Sequence, residues 1–351
     1  MTMIIKHAPS FTYLPVGCRY VLLALLTLTL LIAELTIGAV DIPVTAILGA
    51  LAGGSIETVW HNILFQFRLP RALNALVSGG ALGAAGLLLQ TLFRNPLADP
   101  YVLGIVHSAR LGAAVLVTFS GVAGNAWLSQ FGLAGDVGLA LASVAGSTLL
   151  LSLLAFISGR VNTITLLISG LMLGYMAVGL ISVLLHFVDE NQARAFKAWD
   201  DASFAGATGA QLRLLIPGVL LGFAALWALS KPLNALLLGD RYAASMGMPV
   251  KRIRRIALFI AAWLCGLVTA YCGPVAFLGL VAAQVARGVI PSADHRLLMP
   301  AAVLLGSSLG LAADLVTHLP WSRHVLHLNA VIGLVGAPIA LYVLLRPHAR
   351  P

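Results

Sequence analysis

Ten apolar runs, each close to membrane-spanning length, punctuate the chain. They lie near residues 20–40, 72–93, 101–119, 137–158, 164–187, 214–230, 256–273, 275–290, 298–316 and 328–346. A helix that crosses a bilayer needs about 20 predominantly apolar residues. The pattern therefore predicts an all-α polytopic membrane protein with about ten transmembrane helices. Cys272-Gly273-Pro274 splits the block 256–290 into two helices, since proline donates no backbone hydrogen bond and restricts the residue before it. The second of these, 275–290, is short enough for a re-entrant path. Segment 41–60 has mixed character and central glycines, and reads as a loop with a short interfacial helix.

Polar residues gather between the runs. Residues 188–213 form the most polar loop, with Asp189, Glu190, Asp200, Asp201 and Trp199; it suits either a solvated loop or a docking surface. Residues 231–255 are longer than a helix hairpin requires and carry helical spacing. They suit two short helices lying under the membrane, ready to receive a cytoplasmic partner. The chain divides into an N-terminal cytoplasmic segment, 1–19, and one transmembrane domain, 20–346. The apolar run after Arg19 is too long for a signal-peptide core and has no A-x-A exit, so it reads as a retained first helix.

Composition sharpens the class. Of 351 residues, 60% are hydrophobic and 9% charged. The mean hydropathy is +0.98. A soluble domain carries roughly 25% charged residues. The formal net charge of +9 reads as topology, not as a nucleic-acid patch. With a cytoplasmic N-terminus, fourteen Lys and Arg fall in inner segments and six in outer ones, and the dense run VKRIRR at 250–255 lies inside. This orientation places both termini in the cytoplasm. Cys18, Cys265 and Cys272 form no paired framework and read as apolar fillers.

The orientation puts Arg68 and Arg71 on the outer face. Arginines at a helix end can snorkel to the headgroups; a spacing of three also puts the pair on one helical face, where they can act together. No lysine follows a glycine, so a phosphate-binding G-x-x-x-x-G-K-[ST] loop is excluded. No H-E-x-x-H or C-x-x-C occurs. The chain shows no catalytic constellation and implies no metal or cofactor. A gradient-driven carrier remains an alternative, weakened because Glu34 and Asp314 sit near helix ends rather than mid-membrane.

Five ordered blocks resemble the permease subunits of type II ABC importers for iron chelates, haem and cobalamin. They are RLPRALNALVSGGALGAAGLLLQTLFRNPLADPYVLG (68–104), GDRYAASMGM (239–248), CGPVAFLGLV (272–281), DHRLLMPAAVLLGSSLGLAADLV (294–316) and GLVGAPIALYVLLR (333–346). The resemblance implies the type II permease fold and a bacterial inner-membrane location. It also implies a partner set: a cytoplasmic ABC ATPase that hydrolyses ATP, a periplasmic substrate-binding protein, a second permease subunit and membrane lipid. It assigns binding-protein docking to Arg68 and Arg71. His318 stands where a third outward arginine is frequent, with Arg323 nearby. Gly239, Asp240, Ala244, Met246 and Gly247 would receive the ATPase. His107, Arg110, His186 and Asn329 are pathway candidates. An iron chelate, as ferric siderophore or haem, is the expected cargo, with cobalamin as the alternative. The chain departs from the family pattern at VHSARLG (106–112), AQVAR (283–287) and LHLNAVIG (326–333).

Overall fold

The computed structural model describes residues 14–38, 40, 42–51, 57–122, 133–158, 160–318 and 326–345. All regular structure among them is helical. In chain order the helices are α1 (Val16–Thr36), α2 (Val44–Leu51), α3 (Thr58–Asn62), α4 (Leu69–Leu92), α5 (Ile105–Val122), α6 (Leu133–Ser158), α7 (Thr163–His186) and α8 (Glu190–Asp200). They continue as α9 (Gly209–Ala228), α10 (Ser230–Leu237), α11 (Asp240–Ser245), α12 (Val250–Cys272), α13 (Leu278–Val289), α14 (His295–Thr317) and α15 (Leu328–Leu345). Each of the ten apolar runs contains one helix. Seven helical stretches are long and apolar enough to cross a membrane; α5, α13 and α15 carry shorter apolar stretches.

The helix around Arg68 starts earlier than expected. α3 continues through a π-helical turn, Ile63–Arg68, straight into α4, giving one helical stretch from Thr58 to Leu92. Pro70 therefore sits inside a continuous helix. A π turn carries one extra residue per turn, and this widening accommodates the ring and the missing N–H.

α4 is the axis of the fold. Every residue from Ser78 to Leu92 is buried, packed against α1, α9, α12, α13 and α14. Glycines make this packing close. A Cβ on Gly79 would lie 2.3 Å from the Gly306 carbonyl oxygen on α14, and one on Gly86 would lie 2.3 Å from that of Gly279 on α13. Backbones in contact without intervening side chains are the usual solution for helices packed in lipid. The outer helices present apolar side chains instead, among them Leu149 on α6, Ile164 on α7 and Leu334 on α15.

Two non-helical segments interrupt the bundle. α5 begins only at Ile105, after turns over 93–104, and α13 begins at Leu278, after the non-helical stretch 273–277, where Gly273 and Phe277 take φ of +70° and +58°. The two meet beside α4. Asp99 Oδ1 accepts the Leu280 N–H at 2.8 Å, and Asp99 Oδ2 accepts the Tyr101 N–H at 2.9 Å. Asn329 on α15 clamps the other side: its Oδ1 accepts the Ala276 N–H at 3.0 Å and its Nδ2 donates to the Pro274 carbonyl at 2.7 Å. Non-helical backbone at membrane depth persists only where protein groups satisfy it.

Candidate functional site

The chemistry-bearing residues collect at the two ends of α4 and at the junction of non-helical segments beside it. At the Arg71 end, α1, α4 and α14 converge. Arg71 Nε donates to Asp314 Oδ2 at 2.6 Å and Arg71 Nη2 to Asp314 Oδ1 at 2.9 Å, with a further bond from Nη2 to Thr317 Oγ1 at 3.0 Å. Glu34 Oε1 lies 3.7 Å from Arg71 Nε and 3.4 Å from His318 Nε2. His318 Nδ1 is 2.7 Å from the Asp314 carbonyl oxygen, which can only accept, so this nitrogen carries the proton. Burial, then the neighbouring Arg71 charge, holds the His318 imidazole below its ordinary pKa of 6.5. Glu34 Oε2 is buried without a hydrogen-bond partner among the described residues.

Arg68 caps the end of α1. Its Nη1 donates to the Leu35 and Thr36 carbonyls, both at 2.8 Å, and its Nη2 to the Val40 carbonyl. The last carbonyls of a helix have no intrahelical partner, and a cation there also suits the helix dipole. The structure thus brings Arg68, Arg71 and His318 to one face. It also commits both arginines to bonds within the chain, which motif reading did not anticipate. Arg323 lies outside the described residues. Glu34, Asp314 and His318 each bring one ligand-type atom within 4.8 Å of the others. Arg71 already occupies both Asp314 oxygens, so the group is an ion-pair cluster.

At the Arg94 end, α10 and α11 lie beneath α4 and α12. Gly239 and Gly247 bracket α11 with φ of +117° and +77°, the left-handed region that glycine enters without penalty. Ala243 is fully buried, while Ala244 is exposed and Tyr242 and Met246 are 51% and 58% exposed. The short helix therefore offers an apolar outer face. Asp240 ties it to the bundle: Arg94 Nη2 donates to its Oδ1 at 2.7 Å, and Arg254 Nη2 to its Oδ2 at 3.1 Å. Arg94 and Arg254 come from the end of α4 and the start of α12.

The pathway candidates separate. His107 and Arg110 come together with Asp200 of α8. Arg110 Nε donates to Asp200 Oδ1 at 2.5 Å, and Arg110 Nη1 lies 3.1 Å from His107 Nδ1. The His107 ring meets Tyr101 edge-on at 4.6 Å, and Tyr101 stacks on Phe277 at 6.2 Å. This column joins the two non-helical segments. His186 stands apart at the exposed end of α7, against Phe187. Asn329 is the clamp described above. Asp99 was missed as a singular residue, although it stands in the quoted block LADP; an acid followed by proline after a long apolar helix is the signal that would have found it.

Residues 306–310, GSSLG, spell the letters of a G-x-S-x-G nucleophile elbow. Ser308 sits mid-helix in α14, bonded to the Leu304 carbonyl at 2.9 Å and to Thr27 Oγ1 at 2.8 Å. No strained strand-to-helix turn presents it, so the pattern carries no catalysis.

A sequence model of the FecCD transport family matches residues 25–346. The vitamin B12 import system permease protein BtuC of Klebsiella pneumoniae is 33% identical over 331 residues, covering 93% of each chain. BtuC of Shigella sonnei is 33% identical over 288 residues, covering 81% of this chain and 83% of its own. A solved structure described as an inward-facing metal-chelate type ABC transporter superposes with a TM-score of 0.77 at 24% identity, covering 95% of this chain and all of the other. PsaBC from Streptococcus pneumoniae, in complex with Fab, gives a TM-score of 0.58 at 16% identity over 82% of this chain.

Proposed function

The chain belongs to the FecCD transport family, and we propose that it is the membrane permease of an ATP-driven importer whose cargo is cobalamin. The observation that carries the cargo is the 33% identity to vitamin B12 permeases across 93% of the chain. This reverses the order in which the motifs alone rank the cargoes. A ferric chelate is the second reading, favoured by the breadth of the family that the five blocks resemble.

In this reading the Arg94 end faces the cytoplasm, in keeping with its load of Arg94, Lys231, Arg241 and the run 251–255. The ATPase docks on Gly239, Asp240, Ala244, Met246 and Gly247. Its closure on ATP pushes α11, and the Asp240 ion pairs pass the push to α4 and α12. Such a rigid-body element has two arrangements, and ATP selects between them. A binding protein docks at the Arg71 end, with Arg68, Arg71, His318 and Arg323 at the contact face. A second permease subunit completes the pathway, and both termini lie in the cytoplasm.

Uptake in a strain lacking this chain tests the cargo, using radiocobalt-labelled cobalamin beside radioiron as haem or ferric siderophore. Loss of cobalamin uptake alone is expected. Loss of an iron form alone would replace cobalamin by that chelate and keep the importer mechanism.

A further inference from the structure

The first turns of α12 carry four cations, Lys251, Arg252, Arg254 and Arg255. Among the described residues, one of the three arginines pairs with a carboxylate. Arg254 turns toward α11 and pairs with Asp240. Among the described residues, the side chains of Arg252 and Arg255 have no carboxylate within 4.0 Å and no hydrogen bond, although the Arg252 backbone N–H donates to the Pro249 carbonyl at 2.9 Å. They are three residues apart, so they share one helical face. Two like charges held side by side repel, and an arrangement of this kind favours an anion between them.

The same two arginines line a shallow, open groove of about 380 Å³ on the outer face of α12, together with Ile256 and Phe259. Ile256 and Phe259 are themselves exposed. At 1.5 Å per residue, Phe259 stands about 6 Å further along α12 than Arg255, toward the middle of the span. One turn beyond it, Trp263 ties α12 to α9 by donating Nε1–H to the Gly218 carbonyl at 2.8 Å. α9 ends on this side of the bundle with the exposed Trp227, an aromatic of the type that marks the membrane–water boundary.

We propose that Arg252, Arg255, Ile256 and Phe259 form a binding site for an anionic phospholipid. The site has two halves of different chemistry in one column. The guanidinium pair offers forked N–H donors that match a phosphate diester. The apolar half continues into the membrane, where an acyl chain lies along Ile256 and Phe259. A free phosphate fills only the first half. A water-soluble protein partner has no access to the second. Basic clusters at the cytoplasmic end of a spanning helix attract anionic headgroups.

The test uses the purified full-length chain in phosphatidylcholine nanodiscs doped with phosphatidylglycerol, with retained lipids counted by native mass spectrometry. Wild type is expected to retain phosphatidylglycerol in preference to phosphatidylcholine. Arg252→Gln/Arg255→Gln should lower that preference about 25-fold, since each basic residue near an anionic surface contributes on the order of a fivefold effect. Lys251→Gln, outside the groove, should leave it unchanged. Phe259→Ala should weaken retention severalfold by removing apolar contact, while leaving the folded protein intact if the arginine variant is unstable. Excess inorganic phosphate should not displace the lipid. An unchanged preference in the arginine and Phe259 variants would overturn the site, as would full displacement by phosphate, which would reduce it to a simple anion contact. Loss of ATPase association in pure phosphatidylcholine on the double substitution would assign the arginines to a protein partner instead.

Discussion

Arg71 grips both oxygens of Asp314, through Nε at 2.6 Å and Nη2 at 2.9 Å, and so bolts the start of α4 to the end of α14. The side chain of Asp314 is 2% exposed and that of Arg71 21%. Removing one partner strands a buried charge, at a cost of about 3 kcal/mol. Arg71→Leu and Asp314→Leu should each lower the melting temperature strongly, and the double variant should recover much of the loss. A double-mutant cycle on thermal unfolding checks this; additive losses would show that the pair is not coupled.

The same cluster makes the Arg71 end acid-sensitive. His318 is held neutral by burial and by Arg71, so its pKa lies below the ordinary 6.5. Its contribution to stability is complete above pH 6.5 and is lost as pH falls through the lower folded value. Wild type should therefore lose melting temperature on acidification in that window, and His318→Gln should lose less. Parallel curves for the two proteins would reject the role of His318.

At the opposite end, Asp240 is the joint between α11 and both α4 and α12. Asp240→Asn keeps the shape but removes the charge that Arg94 and Arg254 share. These groups are partly exposed, so folding should change by less than about 1 kcal/mol. Under the proposed mechanism, transport should fall much further than ATP hydrolysis. The ratio of cargo imported to ATP consumed in proteoliposomes measures this; an unchanged ratio would remove Asp240 from the coupling path.

Packing along the axis gives a fourth expectation. A methyl group on Gly79 meets the Gly306 carbonyl at 2.3 Å, and the obstacle is backbone. Gly79→Ala should cost about 1–3 kcal/mol by forcing α4 from α14. Gly17, with nothing within 4 Å of an added Cβ, provides the control. Thermal unfolding of the two variants compares them directly.

Hydropathy made the helices legible because lipid demands long apolar runs, and each run holds a helix. Proline and glycine at 273–274 correctly marked a break, but the helix resumes only at Leu278, because Asn329 holds the intervening backbone and Asp99 accepts an N–H of the first turn of α13. Those partners are 55 and 181 residues away in sequence, respectively, and no local pattern announces them. The π turn before Pro70 was hidden for the same kind of reason: proline reads as a boundary unless the preceding turn widens. Arg68, Arg71 and His318 were legible as a group through the family motif. Their intrachain partners were not, since Leu35, Thr36 and Val40 take part only through carbonyl oxygens, which every residue has. Asp240 was read as part of a docking loop; its two arginines lie on helices whose approach to that loop only the fold determines.

The glycine contacts along α4 also decide what kind of motion the bundle permits. Where side chains interleave, helices can slide by changing rotamers. Between Gly79 and Gly306, and between Gly86 and Gly279, there are no rotamers to change. α4, α13 and α14 are therefore fused along their length into one stiff lever. From Arg71 to Arg94 that lever spans about 35 Å at 1.5 Å per residue. A tilt of such a lever about its middle carries Arg94 and Arg71 in opposite directions.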